Sequence, residues 1–284
     1  MTFRFIPDRY YEHWISYIGL VLLDKNLEPI SEPQLLNSRI GNYKVPSQSE
    51  DARIFAYKNK VYLIFNDNPE VISPSLAERR DMYMAELTYN GALFTLSKPI
   101  KLIHTEKYYS RLWQKNWSPF IWEDTVLLTY TINPHEVIYP NLMDGNCYPC
   151  YQTTGKINWH FGELRGSGPS LLDEGEYLSF FHSGIYTATE ASFGNGMWHY
   201  YMGAYTFSSD PPFEMTKISP FPIIAEGFYT PSEYEKRVIM PGGFVICGPL
   251  IHVAYGKDDR EIWIATIDKK ALKQSMVPVE TVRN

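Results

Sequence analysis

A chain of 284 residues, 44% hydrophobic and 20% charged, is long and apolar enough to bury a sizeable core. Its net charge of −6 gives no support to a nucleic-acid partner, which needs a basic stripe, and its apolar runs are too short to span a bilayer. Three cysteines, an odd number, make no disulfide framework. With Arg4, Asp8, Arg9, Glu12 and His13 interrupting any leader-like stretch, a cytoplasmic protein without a membrane partner is expected.

In chain order, Thr2–Ile6 reads as a strand, and Tyr17–Leu23 with Pro29–Leu36 as an outer pair beside it. Arg53–Ala56 and Tyr62–Phe65 flank the turn Lys58-Asn59-Lys60 and form a hairpin, followed by strands Met82–Leu87 and Ile100–Ile103. Ser118–Ile121 with Val126–Tyr130 repeats the hairpin, as does Gly168–Leu172 with Tyr177–Phe181, which precedes Tyr200–Phe207 and Phe213–Ile224. Gly243–Ile246 with Ile251–Tyr255 is the last such hairpin, followed by Ile262–Ile267. Helix signals are confined to Ser73–Arg80 and to Lys269–Met276 behind Asp268.

This self-similarity predicts an all-β, single-domain, five-bladed β-propeller over residues 1–284, with units of roughly 50 to 70 residues and about four strands each. Their irregular spacing departs from short WD-type or kelch repeats. A large sandwich or barrel is the competing all-β architecture.

Propellers hold their working residues where the innermost strands open onto the central channel. The mouths here carry Glu50, Asp51 and Arg53; Lys115, Asn116 and Trp117; Arg165; His182; and Tyr255 with Asp259. Arg4 belongs to the first unit. Cations, carboxylates and aromatic rings in such a set suit an anionic or polyhydroxylated ligand. Each residue also has a structural explanation: Trp117 in the core, His182 as a satisfied imidazole, Lys115 and Arg165 at solvated strand ends. The glycines of Arg165-Gly166-Ser167-Gly168 lack P-loop spacing and a following helix, so they are expected in tight backbone turns. Cys147-Tyr-Pro-Cys150 lacks two further ligands at recognisable spacing and a helix start behind the first cysteine, so neither a metal site nor a redox pair is expected.

Taken in order, Glu50-Asp51-x-Arg53, Lys115-Asn116-Trp117-x-Pro-Phe, Arg165-Gly-x-x-Pro169, Phe181-His182-Ser183 and Tyr255-Gly-x-x-Asp259 resemble glycoside hydrolase family 130 and the related β-1,2-mannosyltransferase and phosphorylase enzymes. Tyr201–Phe213 and Ser219–Ile224 resemble that family's outer-strand segments, and the likeness covers nearly the whole chain. It implies a five-bladed propeller acting on β-mannosides, often by inverting phosphorolysis with one aspartate as proton donor. By motif, Asp51 is that acid, with Arg53 shaping the sugar site. Lys115, Arg165, His182 and Tyr255 fall where the family holds phosphate. Asp259 and Arg4 fall where it holds sugar hydroxyls or frames the channel, and Glu50, Asn116 and Trp117 are expected on the substrate side.

An acid with a cationic cluster favours phosphorolysis or its reverse, mannosyl transfer from mannose 1-phosphate, because phosphate needs cations where water needs a base. The implied partners are a mannose-containing oligosaccharide and inorganic phosphate or a sugar phosphate as co-substrate, with no further cofactor. The composition leaves room for a homo-oligomer. A nucleotide-sugar transferase, a hydrolase using Asp259 or Glu50 as base, and a non-catalytic glycan-binding propeller are the other readings. Two departures stand out: the family usually has proline where this chain has Ala52, and the first unit begins at what looks like its final inner strand.

Overall fold

The computed structural model describes residues 1–7, 15–40, 47–68 and 79–282, and the chain is all-β, with 55% strand and 4% helix. The helix expected over Ser73–Arg80 lies almost wholly outside the described residues, as do Asp8, Arg9, Glu12 and His13. Two compact units divide the chain: Met1–Leu128 with Ile138–Pro149, and Thr129–Val137 with Cys150–Asn284.

Thr2–Phe5 (β1) pairs antiparallel with Tyr17–Leu20 (β2), which also carries the short Gln34–Leu35 (β3). Glu50–Tyr57 (β4) and Lys60–Asp67 (β5) form a hairpin closed by Lys58 and Asn59, both at positive φ, as a two-residue turn between twisted strands requires. Asp81–Tyr89 (β6), Phe94–Leu96 (β7) and Ile100–His104 (β8) extend that ladder. Ser118–Trp122 (β9), Thr125–Thr131 (β10), His135–Pro140 (β11) and Asn146–Thr153 (β12) follow, with β12 meeting β8 through a short parallel contact at Asn146 and Cys147. Inward-facing residues of β2, β5 and β6, among them Ile18, Leu20, Leu63, Phe65, Tyr83 and Ala85, make the core of the first unit.

In the second unit, Gly155–Lys156 (β13), Arg165–Gly166 (β14) and Leu171–Asp173 (β15) precede two long strands, Glu176–Thr187 (β16) and Met197–Ser208 (β17). These two pair over their full twelve residues, and a single 3-10 turn over Glu190–Ser192 lies in the connection between them. Met215–Ile218 (β18), Lys236–Cys247 (β19), Leu250–Lys257 (β20) and Glu261–Asp268 (β21) come next. The expected C-terminal helix is Lys269–Ser275 (α1), capped where Asp268 Oδ1 accepts from Ala271 N at 2.7 Å. Val277–Pro278 (β22) pairs with β18, and Glu280–Thr281 (β23) with β13. The core here joins Leu178, Phe180, Met202, Ile239, Ile251 and Val253.

Apart from the β13–β23 pair, the described strands fall into five runs of neighbours, starting at β1, β4, β9, β14 and β19. Short parallel contacts, β8 with β12 and β17 with β19, link two pairs of these runs into nine-stranded sheets. All the expected hairpins are present. Strands β11 and β12 were not anticipated, because Asn133-Pro134 and Asn141–Gly145 break the alternation around them. The long outer strand expected over Phe213–Ile224 is confined to Met215–Ile218, since Pro220 and Pro222 remove ladder donors.

Gly168 has an ordinary φ, so turn geometry does not explain it. A Cβ there would lie 2.1 Å from the Gly242 carbonyl oxygen, at the irregular stretch between Pro241 and Phe244 of β19. Backbone against backbone cannot yield locally. Gly168→Ala is therefore expected to destabilise by about 2 kcal/mol, read as a lower Tm in a thermal melt.

Candidate active site

Glu50 pairs with Asn66 and Arg53 with Ile64, so Asp51 and Ala52 together stand against the single residue Phe65. This β-bulge re-aims the side chains that follow Glu50. Asp51 sits in the left-handed region at φ 54°, which aspartate adopts more readily than most non-glycine residues and which here coincides with the bulge. Both carbonyls of the bulge are held. Arg53 Nη1 donates to Asp51 O at 3.3 Å, and Thr2 Oγ1 donates to Ala52 O at 2.9 Å. Without a proline ring at this position, Ala52 is fixed by the hydroxyl of β1.

Next to the bulge, three cations share the buried carboxylate of Glu50. Arg80 Nη2 lies 3.0 Å and Arg4 Nη1 3.6 Å from Oε1, and Lys115 Nζ donates to Oε2 at 2.9 Å. Burial pushes the Glu50 pKa up, but Arg80, Lys115 and Arg4 outweigh it, so the carboxyl stays below its usual range. Arg80 is fixed in turn, its Nη1 donating to Asn66 Oδ1 at 2.9 Å and Gln48 O at 3.1 Å. Arg4, Arg53, Arg80 and Lys115 are four cations here against the three carboxylates Glu50, Asp51 and Asp67. Arg53 is 3% exposed, and burial lowers its pKa against the opposing pull of Asp51.

Lys115 and Arg4, expected on phosphate and sugar, are thus brought together on Glu50. Arg80 was missed, because the Arg79-Arg80 pair before β6 carries no motif. Asn116 follows Lys115 at φ 66°. Trp117, expected on the substrate side, is 1% exposed, and its ring is part of the buried interior.

Beneath the bulge lies a second carboxylate that the sequence did not single out. Asp67 Oδ1 accepts from Asn68 N at 2.6 Å and Gln48 N at 3.2 Å, and Oδ2 accepts from Ser49 Oγ at 2.7 Å. Burial raises its pKa to about 6 despite these donors and the nearby Arg80; Asp81 stands opposite it on β6.

In the second unit, Arg165 and His182 face each other across β14 and β16. Arg165 Nε lies 3.2 Å from Glu163 Oε2, and His182 Nδ1 lies 2.9 Å from Ser167 Oγ. Tyr255 packs its ring 4.9 Å from that of Phe228, and burial, aided by Glu261, raises its phenol pKa. Asp259, at φ 55°, pairs with Lys236 Nζ at 3.2 Å.

Cys147 and Cys150, three apart on β12, project to opposite faces, and burial pushes the Cys147 thiol up to about 12. Among the described residues, no helix is long and apolar enough to cross a membrane.

No protein-family model and no curated protein matches this sequence. Solved structures do. A β-1,2-mannobiose phosphorylase from Listeria innocua, in complex with β-1,2-mannobiose, matches with TM-score 0.59 at 15% identity, over 92% of this chain and 69% of that one. A glycosyl hydrolase from Bacteroides ovatus matches with TM-score 0.61 at 11% identity, over 91% and 77%. A third structure, at TM-score 0.58 and 12% identity over 91% and 77%, represents glycoside hydrolase family 130, described as mannoside phosphorylases that include hydrolases targeting β-1,2-mannosidic linkages in Candida mannan. At these identities the likeness establishes a shared fold. The family that the ordered motifs resemble is also represented among these solved structures.

Two measurements probe this corner. Glu50→Gln leaves three cations around an uncharged group and is expected to cost on the order of 3 kcal/mol in urea unfolding. Asp67 holds its proton more tightly folded than unfolded, so its contribution to stability is full below pH 3.8 and is lost as pH rises through about 6. The Tm of Asp67→Asn should therefore fall less than that of the wild type over this interval.

Proposed function

We propose that this protein is a carbohydrate-active enzyme with a five-bladed propeller fold that acts on β-mannosides, with Asp51 as proton donor and phosphate as nucleophile. The observation that carries the reading is Asp51 held at a bulge beside a carboxylate, Glu50, that three cations already neutralise. Glycosidic cleavage needs a protonated leaving oxygen and a nucleophile on the opposite face of the sugar. Asp51 supplies the proton to the glycosidic oxygen. Phosphate attacks C1 as the C1–O bond breaks, giving an α-mannose 1-phosphate with inversion. Read backwards, the same step transfers mannose from mannose 1-phosphate to an acceptor and releases phosphate.

The neighbouring carboxylate argues against hydrolysis through Glu50. A general base must take up a proton, and three cations hold Glu50 ionised below its usual range. Their excess charge instead favours an anionic co-substrate. The mannobiose phosphorylase among the structural neighbours and the five runs of strands support the same reading. Arg165 and His182, which face each other across β14 and β16, are two of the four residues assigned to phosphate by motif, with Lys115 and Tyr255.

Incubated with mannose 1-phosphate and mannose, the protein should release phosphate in step with β-mannoside formation. Asp51→Asn should lower turnover by about 1,000-fold while leaving ligand binding intact, and Arg165→Ala should raise the KM for phosphate alone. Cleavage of mannobiose at full rate in phosphate-free buffer would indicate a hydrolase. Glycan binding with no turnover would indicate a non-catalytic propeller.

A further inference from the structure

We propose that Asp67 is a positioning residue for Asp51, acting through Ser49; this rests on the reading of Asp51 as proton donor. Ser49 precedes Asp51 by two residues and is fully buried, and each of its polar groups has a partner. Its carbonyl accepts from Ser16 Oγ at 2.8 Å, and its N–H donates to Ser47 Oγ at 3.2 Å. Its hydroxyl meets Asp67 Oδ2 at 2.7 Å, Ser38 Oγ at 2.7 Å and Ser47 Oγ at 3.0 Å.

An ionised carboxylate only accepts, so Asp67 obliges the Ser49 hydroxyl to donate to it. Ser49 Oγ then accepts from Ser38 and Ser47, and the orientation of all three hydroxyls follows from one group. The other Asp67 oxygen takes the Gln48 and Asn68 amides, and Arg80 holds the Gln48 carbonyl. The two residues leading into Glu50 and Asp51 are thereby pinned on both sides. This network fixes the backbone groups of Gln48 and Ser49, and with them the entry into the left-handed Asp51. Ser38, Ser47, Ser49 and Asp67 are all buried, so this network acts on the backbone leading into Asp51.

Asp67→Asn is nearly isosteric but reverses one hydrogen bond. The amide oxygen stays with the two backbone N–H groups, so the NH2 faces Ser49 Oγ, and the Ser49 hydroxyl must turn away. Asp67→Asn, Ser49→Ala and the double variant are compared by mannoside turnover and by hydrogen–deuterium exchange of the amides of residues 50–55. Each single variant should lower kcat by about 100-fold, the scale of an ångström-sized misplacement, with KM unchanged. The double variant should lose no more than the worse single, and amide exchange at the bulge should speed up in all three.

An unchanged kcat with a lowered Tm would overturn the proposal and leave Asp67 a purely structural residue. Losses that multiply in the double variant would also overturn it, since Asp67 would then not act through Ser49. Should the wild type turn over no mannoside, the proposed reaction fails, and the exchange measurement decides the positioning alone: unchanged exchange at the bulge in Asp67→Asn overturns it.

Discussion

One carboxylate organises the first unit. Glu50 draws Arg4 from β1, Arg80 from the start of β6 and Lys115 from the segment before β9 onto two oxygen atoms. Separate strands thus converge on a single buried charge, and removing it would leave their cations facing one another. The same contacts remove Glu50 from acid–base work, because a carboxyl held ionised by three cations neither gives nor takes a proton near neutrality. Asp51, one residue on, stands at the bulge with its backbone in the left-handed region.

The bulge has supports above and below. Thr2 and Arg53 hold its two carbonyls, and the Asp67–Ser49 pair anchors the residues leading into it. The Thr2 contact does for Ala52 what a proline ring does in the resembling family, by tying down the carbonyl in place of restricting φ. Stiffness at this point is therefore shared between covalent geometry in one case and a long-range hydrogen bond in the other.

Much of the fold could be read in advance. Alternation with turn residues located the hairpins β4–β5, β9–β10 and β19–β20, and Asp268 announced α1. Such signals are local. Strands β11 and β12 escaped because prolines and the turn Asn141–Gly145 interrupt their pattern. The candidate acid and its neighbours were readable only through ordered motifs, and motifs do not state who pairs with whom. Lys115 and Arg4 were assigned to ligands, yet their contact is with Glu50. Trp117 carried an aromatic signal that burial cancels. Arg80 and Asp67 bear no motif, and their importance arises from register: Asp67 stands opposite Asp81, and Arg80 reaches Asn66 and Glu50 only once β5 and β6 are paired.

The account turns on phosphate taking the place of a base. The most direct measurement is the NMR spectrum of the first product formed from β-1,2-mannobiose in the presence of inorganic phosphate. A single proton donor with an anionic nucleophile predicts α-mannose 1-phosphate, formed at the initial rate of mannobiose loss. Free mannose as the only initial product, at a rate independent of phosphate, would contradict it.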